Sequence, residues 1–120
     1  MVRFGSIYWV KNFLLEKFKY TVDDQDESHP NLVVKSDFLT DMVTVSPGTS
    51  LIQNPTVKSR ADVFYLFGRK VPRLRKNTLF YLRVKTTLTQ TDMEDASSVS
   101  YIGILPEPEQ DQLKEKLRRL

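Results

Sequence analysis

The chain has one histidine, His29, set in its densest run of acidic and small polar residues. Asp24, Asp26 and Ser28 alternate like the ligands of a calcium loop. The sixth position of that loop would be His29 where a glycine is needed, and the twelfth Lys35 where a glutamate is needed, so the EF-hand reading fails. Ser28 and His29 beside carboxylates also have the residue types of a nucleophile, a base and an orienting acid. Adjacent in one polar loop, they lack the fixed positions that nucleophilic catalysis needs. A lone histidine excludes two-histidine metal sites. The absence of cysteine excludes thiolate zinc sites, cysteine nucleophiles, disulfides and Cys-ligated iron–sulfur clusters. The four glycines are too scattered to cradle a phosphate. Each acidic cluster lies in a polar segment, where nothing raises a carboxyl pKa. The sequence thus leads us to expect no catalytic residue, no cofactor and no metal. A small enzyme centred on His29 stands as the third reading.

The basic residues give a stronger signal. The net charge of +3 is the remainder of uneven blocks: +3 over residues 1–20, −5 over 21–57, +8 over 58–85 and −3 over 86–120. The centre of the +8 block is the connection at 69–76, with Arg69, Lys70, Arg73, Arg75 and Lys76. Clustered cations attract a polyanion by releasing its counterions, and arginine adds forked hydrogen bonds to phosphate or carboxylate. Pro72 stiffens the segment. These five residues are the candidate polyanion or partner contact. Nearby Tyr65, Phe67 and Tyr81 have rings on which bases could stack. Their order does not match the RNA-recognition sheet signature, which favours packing against a core or a subunit.

Around these residues the pattern predicts an α+β fold. Ser6 can cap a helix over 6–19, in which Ile7, Val10, Phe13, Leu14 and Phe18 form one stripe. Tyr8 and Trp9 lie off that stripe, and six aromatic residues fall within the first 20 positions, more ring area than a surface helix needs. Strands are expected over 31–35 and 38–46, then a turn at Pro47-Gly48 and a loop over 49–58 containing Asn54-Pro55. The clearest pair of strands is 63–68 and 78–88, a hairpin joined by the long basic connection. Residues 90–98 read as an acidic loop, 99–105 as a last strand, and 109–120 as a helix carrying Leu113, Leu117 and Leu120 on one side.

The expectation is one domain over 1–120, with an N-terminal amphipathic helix, an antiparallel sheet of four to five strands and a short C-terminal helix. The hairpin is apolar on both faces at one end, so it must be covered twice: the N-terminal helix can cover one side, and the other needs more of this chain or another subunit. Trp9, Tyr65, Phe67, Tyr81, Leu113 and Leu117 are the candidate subunit contacts. No apolar run reaches the roughly 18–20 residues of a membrane span. Arg3 ahead of an apolar stretch, with the first acid at Glu16, fits loosely with a mitochondrial presequence. An intracellular or virion-associated setting suits the rest. The function this predicts is a non-enzymatic structural or adaptor subunit, of a virion or a ribonucleoprotein-type particle, with other protein subunits as partners in a homo- or hetero-oligomer. The alternative is a nucleic-acid-binding module that grips phosphates through residues 69–76.

Overall fold

The computed structural model describes residues 2–11, 14, 28–50 and 58–120. The acidic residues Asp23, Asp24, Asp26 and Glu27, the aromatics Phe13 and Phe18, and positions 51–57 of the expected loop lie outside these residues. Where a helix is expected to start, the chain forms strand β1 (Ser6–Lys11). The reason is burial on two sides. β1 lies between β2 (Ser28–Asp37) and β7 (Val99–Ile104) and is antiparallel to both. Ile7 and Trp9 pack into one apolar cluster, Tyr8 and Val10 into a second on the other face. A strand covered twice is apolar at successive positions, which hides the alternation that would reveal it.

β2 turns tightly through residues 38–41 into β3 (Met42–Thr49). Asp37 Oδ1 accepts from Leu39 N at 2.9 Å in that turn. Pro47 and Gly48, expected to end a strand, lie within β3. Here β3 exchanges one neighbour for another. Met42 to Val45 pair with β6 (Thr86–Thr89), while Gly48 and Thr49 pair with β5 (Thr78–Tyr81). The single strand expected over 78–88 is therefore two, parted by a turn in which Val84 N donates to Tyr81 O at 3.2 Å. A Cβ on Gly48 would meet the Phe80 ring at 2.7 Å, so β5 comes this close only because position 48 is glycine. β4 (Val63–Leu66) pairs antiparallel with β5, as the hairpin reading requires.

The described residues thus form a seven-stranded, mainly antiparallel sheet with the path β4-β5-β3-β2-β1-β7, and β6 on β3. This corrects the expected four to five strands, and it replaces the first part of the expected N-terminal helix by β1. A single turn, α1 (Gln90–Met93), interrupts the expected acidic loop. A capping box holds it: Thr89 Oγ1 accepts from Asp92 N, and Asp92 Oδ2 accepts from Thr89 N, both at 3.0 Å. Among the described residues no helix is long and apolar enough to cross a membrane.

The C-terminal helix α2 (Glu107–Arg118) closes one face of the sheet. Its apolar stripe is narrow, so docking must hold it. Leu113 is fully buried in the cluster of Ile7, Phe64, Phe80 and Leu105, and Leu117 packs on its edge. Lys116 Nζ donates to Val63 O at 2.8 Å, and Gln110 Nε2 donates to Leu105 O at 2.8 Å. Since a helix this short is marginal alone, Leu113→Ala should lower unfolding free energy by about 2–5 kcal/mol, the range for a buried leucine cut to alanine. Urea unfolding checks this. A change under about 0.5 kcal/mol would mean that α2 does not close the core.

Candidate functional site

The start of β2 and the end of β3 lie together on the sheet. Asn31 pairs with Pro47, and His29 and Thr49, two residues beyond that pair on either strand, both line one cleft. His29 is also held from the other side, by pairing with Val10 of β1. The Asn31 side chain donates to the His29 carbonyl at 3.1 Å. These strands form one wall of a cleft of about 580 Å³. Ser28, His29 and Pro30 come from β2; Gly48 and Thr49 come from β3, and Ser50 follows it. Trp9, Leu74 and Ile102 supply apolar lining, and Arg73, Arg75 and Lys76 supply the cationic rim. No carboxylate is among the described lining residues.

The basic connection reaches this cleft because it is anchored inward. It folds into two 3-10 turns, Gly68–Lys70 and Pro72–Leu74. Val71 and Leu74 are buried in the main apolar cluster, while Arg73 between them and Arg75 and Lys76 after them are exposed. Val71 lies over Gly103 of β7, where a Cβ would come within 2.8 Å of its methyl group. Residues 74–76 then make a γ-turn: Lys76 N donates to Leu74 O at 2.8 Å across Arg75, whose φ is +68°. The positive-φ γ-turn is rare and strained. Thr78 Oγ1 donates to Lys76 O at 3.0 Å, and Asn77 Oδ1 accepts from Gly68 N at 2.9 Å. Both ends of the turn are therefore fixed before any ligand arrives.

Of the five candidate cations, Arg73, Arg75 and Lys76 meet in the cleft. Arg69 lies over the Phe67 ring, 5.2 Å from its centroid, and Lys70 pairs with Glu109 of α2 at 3.3 Å. Arg60 and Arg83 both face Asp62, the only acid of residues 58–85. The hydrogen bonds from Arg60 hold the Asp62 carboxyl below its usual range, and the nearby Arg60 and Arg83 charges add to this. Among the candidate subunit contacts, Trp9 is half-buried and lines the cleft. Tyr65 and Tyr81 are half-buried on the hairpin, Phe67 is exposed, and Leu117 lies against the core. Leu113 is wholly buried inside this chain and leaves no surface for a subunit. Among the described residues no three His, Asp or Glu side chains are placed to hold a metal ion. The hydroxyl residues Thr49 and Ser50 were not visible as site residues in sequence, where they read as the start of a loop. The one available signal was the apolar run after Pro30: extending its strand backward brings His29 onto the sheet.

No protein-family model and no curated protein matches the sequence. Solved structures do match. The chain is similar to MazF chains of Deinococcus radiodurans, in two crystal forms of a MazE–MazF pair and one of MazF. The two MazE–MazF forms each show 12 % identity and a TM-score of 0.62, covering 98 % of this chain and 92 % or 94 % of the other. The MazF form shows 13 % identity and a TM-score of 0.61, covering 98 % of this chain and 94 % of the other. The fold is MazF-like. This likeness overturns the reading as a non-enzymatic structural or adaptor subunit, with its virion or ribonucleoprotein setting. The argument against a catalytic site also loses its premise, because His29 sits in a paired strand and not in a free loop.

The γ-turn supplies a test of how this rim is held. A side chain at such a φ costs about 1–3 kcal/mol, more than the roughly 0.5–1 kcal/mol that a glycine loses in chain entropy. Arg75→Gly should therefore keep or raise the denaturation midpoint. A loss above about 1 kcal/mol would show that the Arg75 side chain itself stabilises the turn.

Proposed function

We propose that this chain cleaves single-stranded RNA, with the scissile phosphate seated in the cleft of His29, Thr49, Ser50, Arg73, Arg75 and Lys76. One observation carries the reading. The chain's only histidine is brought onto a cationic cleft with no carboxylate among its described lining residues, in a MazF-like fold. MazF is an RNA-cleaving toxin, which supports the same reaction class here.

RNA carries its own nucleophile, so the protein need not supply one. The ribose 2′-oxygen bonds to the adjacent phosphorus as its proton passes to His29. The bond from phosphorus to the 5′-oxygen breaks, and that oxygen takes a proton from water. The products are a 2′,3′-cyclic phosphate and a 5′-hydroxyl, and His29 returns its proton to solvent. Histidine suits this exchange because imidazole takes and gives protons near neutral pH. Arg73, Arg75 and Lys76 offset the charge that gathers on the phosphate oxygens. The Thr49 and Ser50 hydroxyls can donate to those oxygens, and Trp9 offers a ring for a flanking base. A protein partner fits the same reading, since two of the similar structures hold MazF with MazE. An acidic segment of such a partner would compete with RNA for the cationic rim.

The experiment is incubation of the purified chain with pooled single-stranded RNA, followed by analysis of the new ends. Cyclic-phosphate and 5′-hydroxyl ends are expected, with no cutting of DNA of the same sequence. His29→Ala should slow cleavage by at least about 100-fold, the lower end of general acid–base contributions. Absence of cutting, equal cutting of DNA, or an unchanged rate in His29→Ala would overturn the proposal.

A further inference from the structure

Beside the cleft, the outer face of the hairpin carries a row of alternating cations and rings. Lys58 Nζ lies 4.6 Å from the centre of the Tyr65 ring. Tyr65 meets Phe67 edge to face, with ring centres 5.0 Å apart. The Arg69 guanidinium lies 5.2 Å from the centre of the Phe67 ring. The row is Lys58, Tyr65, Phe67 and Arg69. Tyr65 and Phe67 are two residues apart on an extended strand, so they point to the same side. Phe67 is 47 % exposed, more than a ring needs if its only role is to pack.

The row ends next to the residues that line the cleft. Phe67 leads into Gly68, and a Cβ on Gly68 would meet the Lys76 backbone at 2.7 Å. Leu66 pairs with Thr78, which lines the cleft. Arg69 therefore ends the row one residue from the point where the chain touches the cationic rim. Charge points to the occupant: residues 42–61 and 63–85 contain no acid, Asp62 between them is engaged by Arg60 and Arg83, and Glu109 by Lys70, which leaves Lys58 and Arg69 on their rings. Cations tracking a backbone, with rings spaced between them for bases, are what a single strand of nucleic acid requires. A double helix would present phosphates but no free base faces.

We propose that the Lys58–Tyr65–Phe67–Arg69 row is a stacking platform for the single-stranded RNA that flanks the phosphate in the cleft. It rests on the cleavage reading for its substrate, and it adds a second, sequence-tolerant contact outside the reacting nucleotides. Bases lie on the Phe67 and Tyr65 rings, while Lys58 and Arg69 swing from the rings to the neighbouring phosphates.

The test measures binding rather than cleavage, using His29→Ala protein and fluorescent oligouridylates of about 4 and about 12 nucleotides, within the range of single-strand site sizes. The longer strand should bind more tightly, and Phe67→Ala should remove about tenfold of that gain, as loss of one stacked base predicts. Phe67→Leu, which keeps the apolar bulk, should show the same loss, and Phe67→Trp should restore the gain. Leu39→Ser, at an exposed position on the distant β2–β3 turn, serves as the control. A length gain unaffected by Phe67→Ala and Phe67→Leu would overturn the platform, as would binding of a poly-glutamate peptide that competes with the long strand and depends on Phe67. If wild-type protein cuts RNA but the gain does not depend on Phe67, the platform alone falls. If nothing is cut but the gain depends on Phe67, the platform stands and the cleavage reading falls.

Discussion

The seating of Val71 against Gly103 is the contact on which the site depends. Val71 and Leu74 are the two apolar residues of an otherwise basic connection, and both are buried. Burying two such side chains contributes about 1.5–3 kcal/mol each. Holding Arg75 in a positive-φ γ-turn costs about 1–3 kcal/mol. The anchoring term exceeds the strain, so the connection stays folded down on the sheet. Without it, five cations would spread over a free loop, and their repulsion would keep them apart. A larger residue at position 103 would remove the space that Val71 occupies.

That anchoring matters because the cleft has three contributors remote in sequence. β2 brings His29, the end of β3 brings Thr49, and the second 3-10 turn with the γ-turn after it brings Arg73, Arg75 and Lys76. The first two are set by strand register, which slips only by whole residues and turns every side chain to the opposite face when it does. The third is set by the packing of Val71 and Leu74 together with the hydrogen bonds of Asn77 and Thr78. Gly48 links these constraints: it lets Phe80 approach β3, and so allows β5 to pair with the end of β3 beside the basic connection.

Part of this was legible in the residues. The parity of Phe64 and Leu66, the proline stop at Pro106 and the leucines of the last helix fix β4, β7 and α2 to within a few positions. The charge blocks singled out residues 69–76, and three of those five cations line the cleft. What stayed hidden has a physical cause in each case. β1 is covered on both faces, so Ile7 and Val10 also satisfy helical spacing. β3 changes partner at Pro47-Gly48, and those two residue types read as a turn when the second partner is unknown. Leu113 looked like surface offered to a subunit because the strands that bury it are far away in sequence.

The chemistry proposed for the cleft is inconspicuous in sequence for a different reason. Excluding cysteine nucleophiles, thiolate metal sites and paired histidines tests only for enzymes that supply the reacting group themselves. Phosphoryl transfer within RNA makes a smaller demand, since catalysis there consists mainly of positioning and charge stabilisation. One proton acceptor and a few fixed cations suffice, and neither is conspicuous in composition. His29 lies next to an acidic run, which suggests a solvated loop, yet its strand partner Val10 is fully buried. The useful question of a lone histidine is therefore which strand holds it and which charges that strand brings near. His29 shares its cleft with three cations and four hydroxyl residues, a set that only the folded sheet assembles.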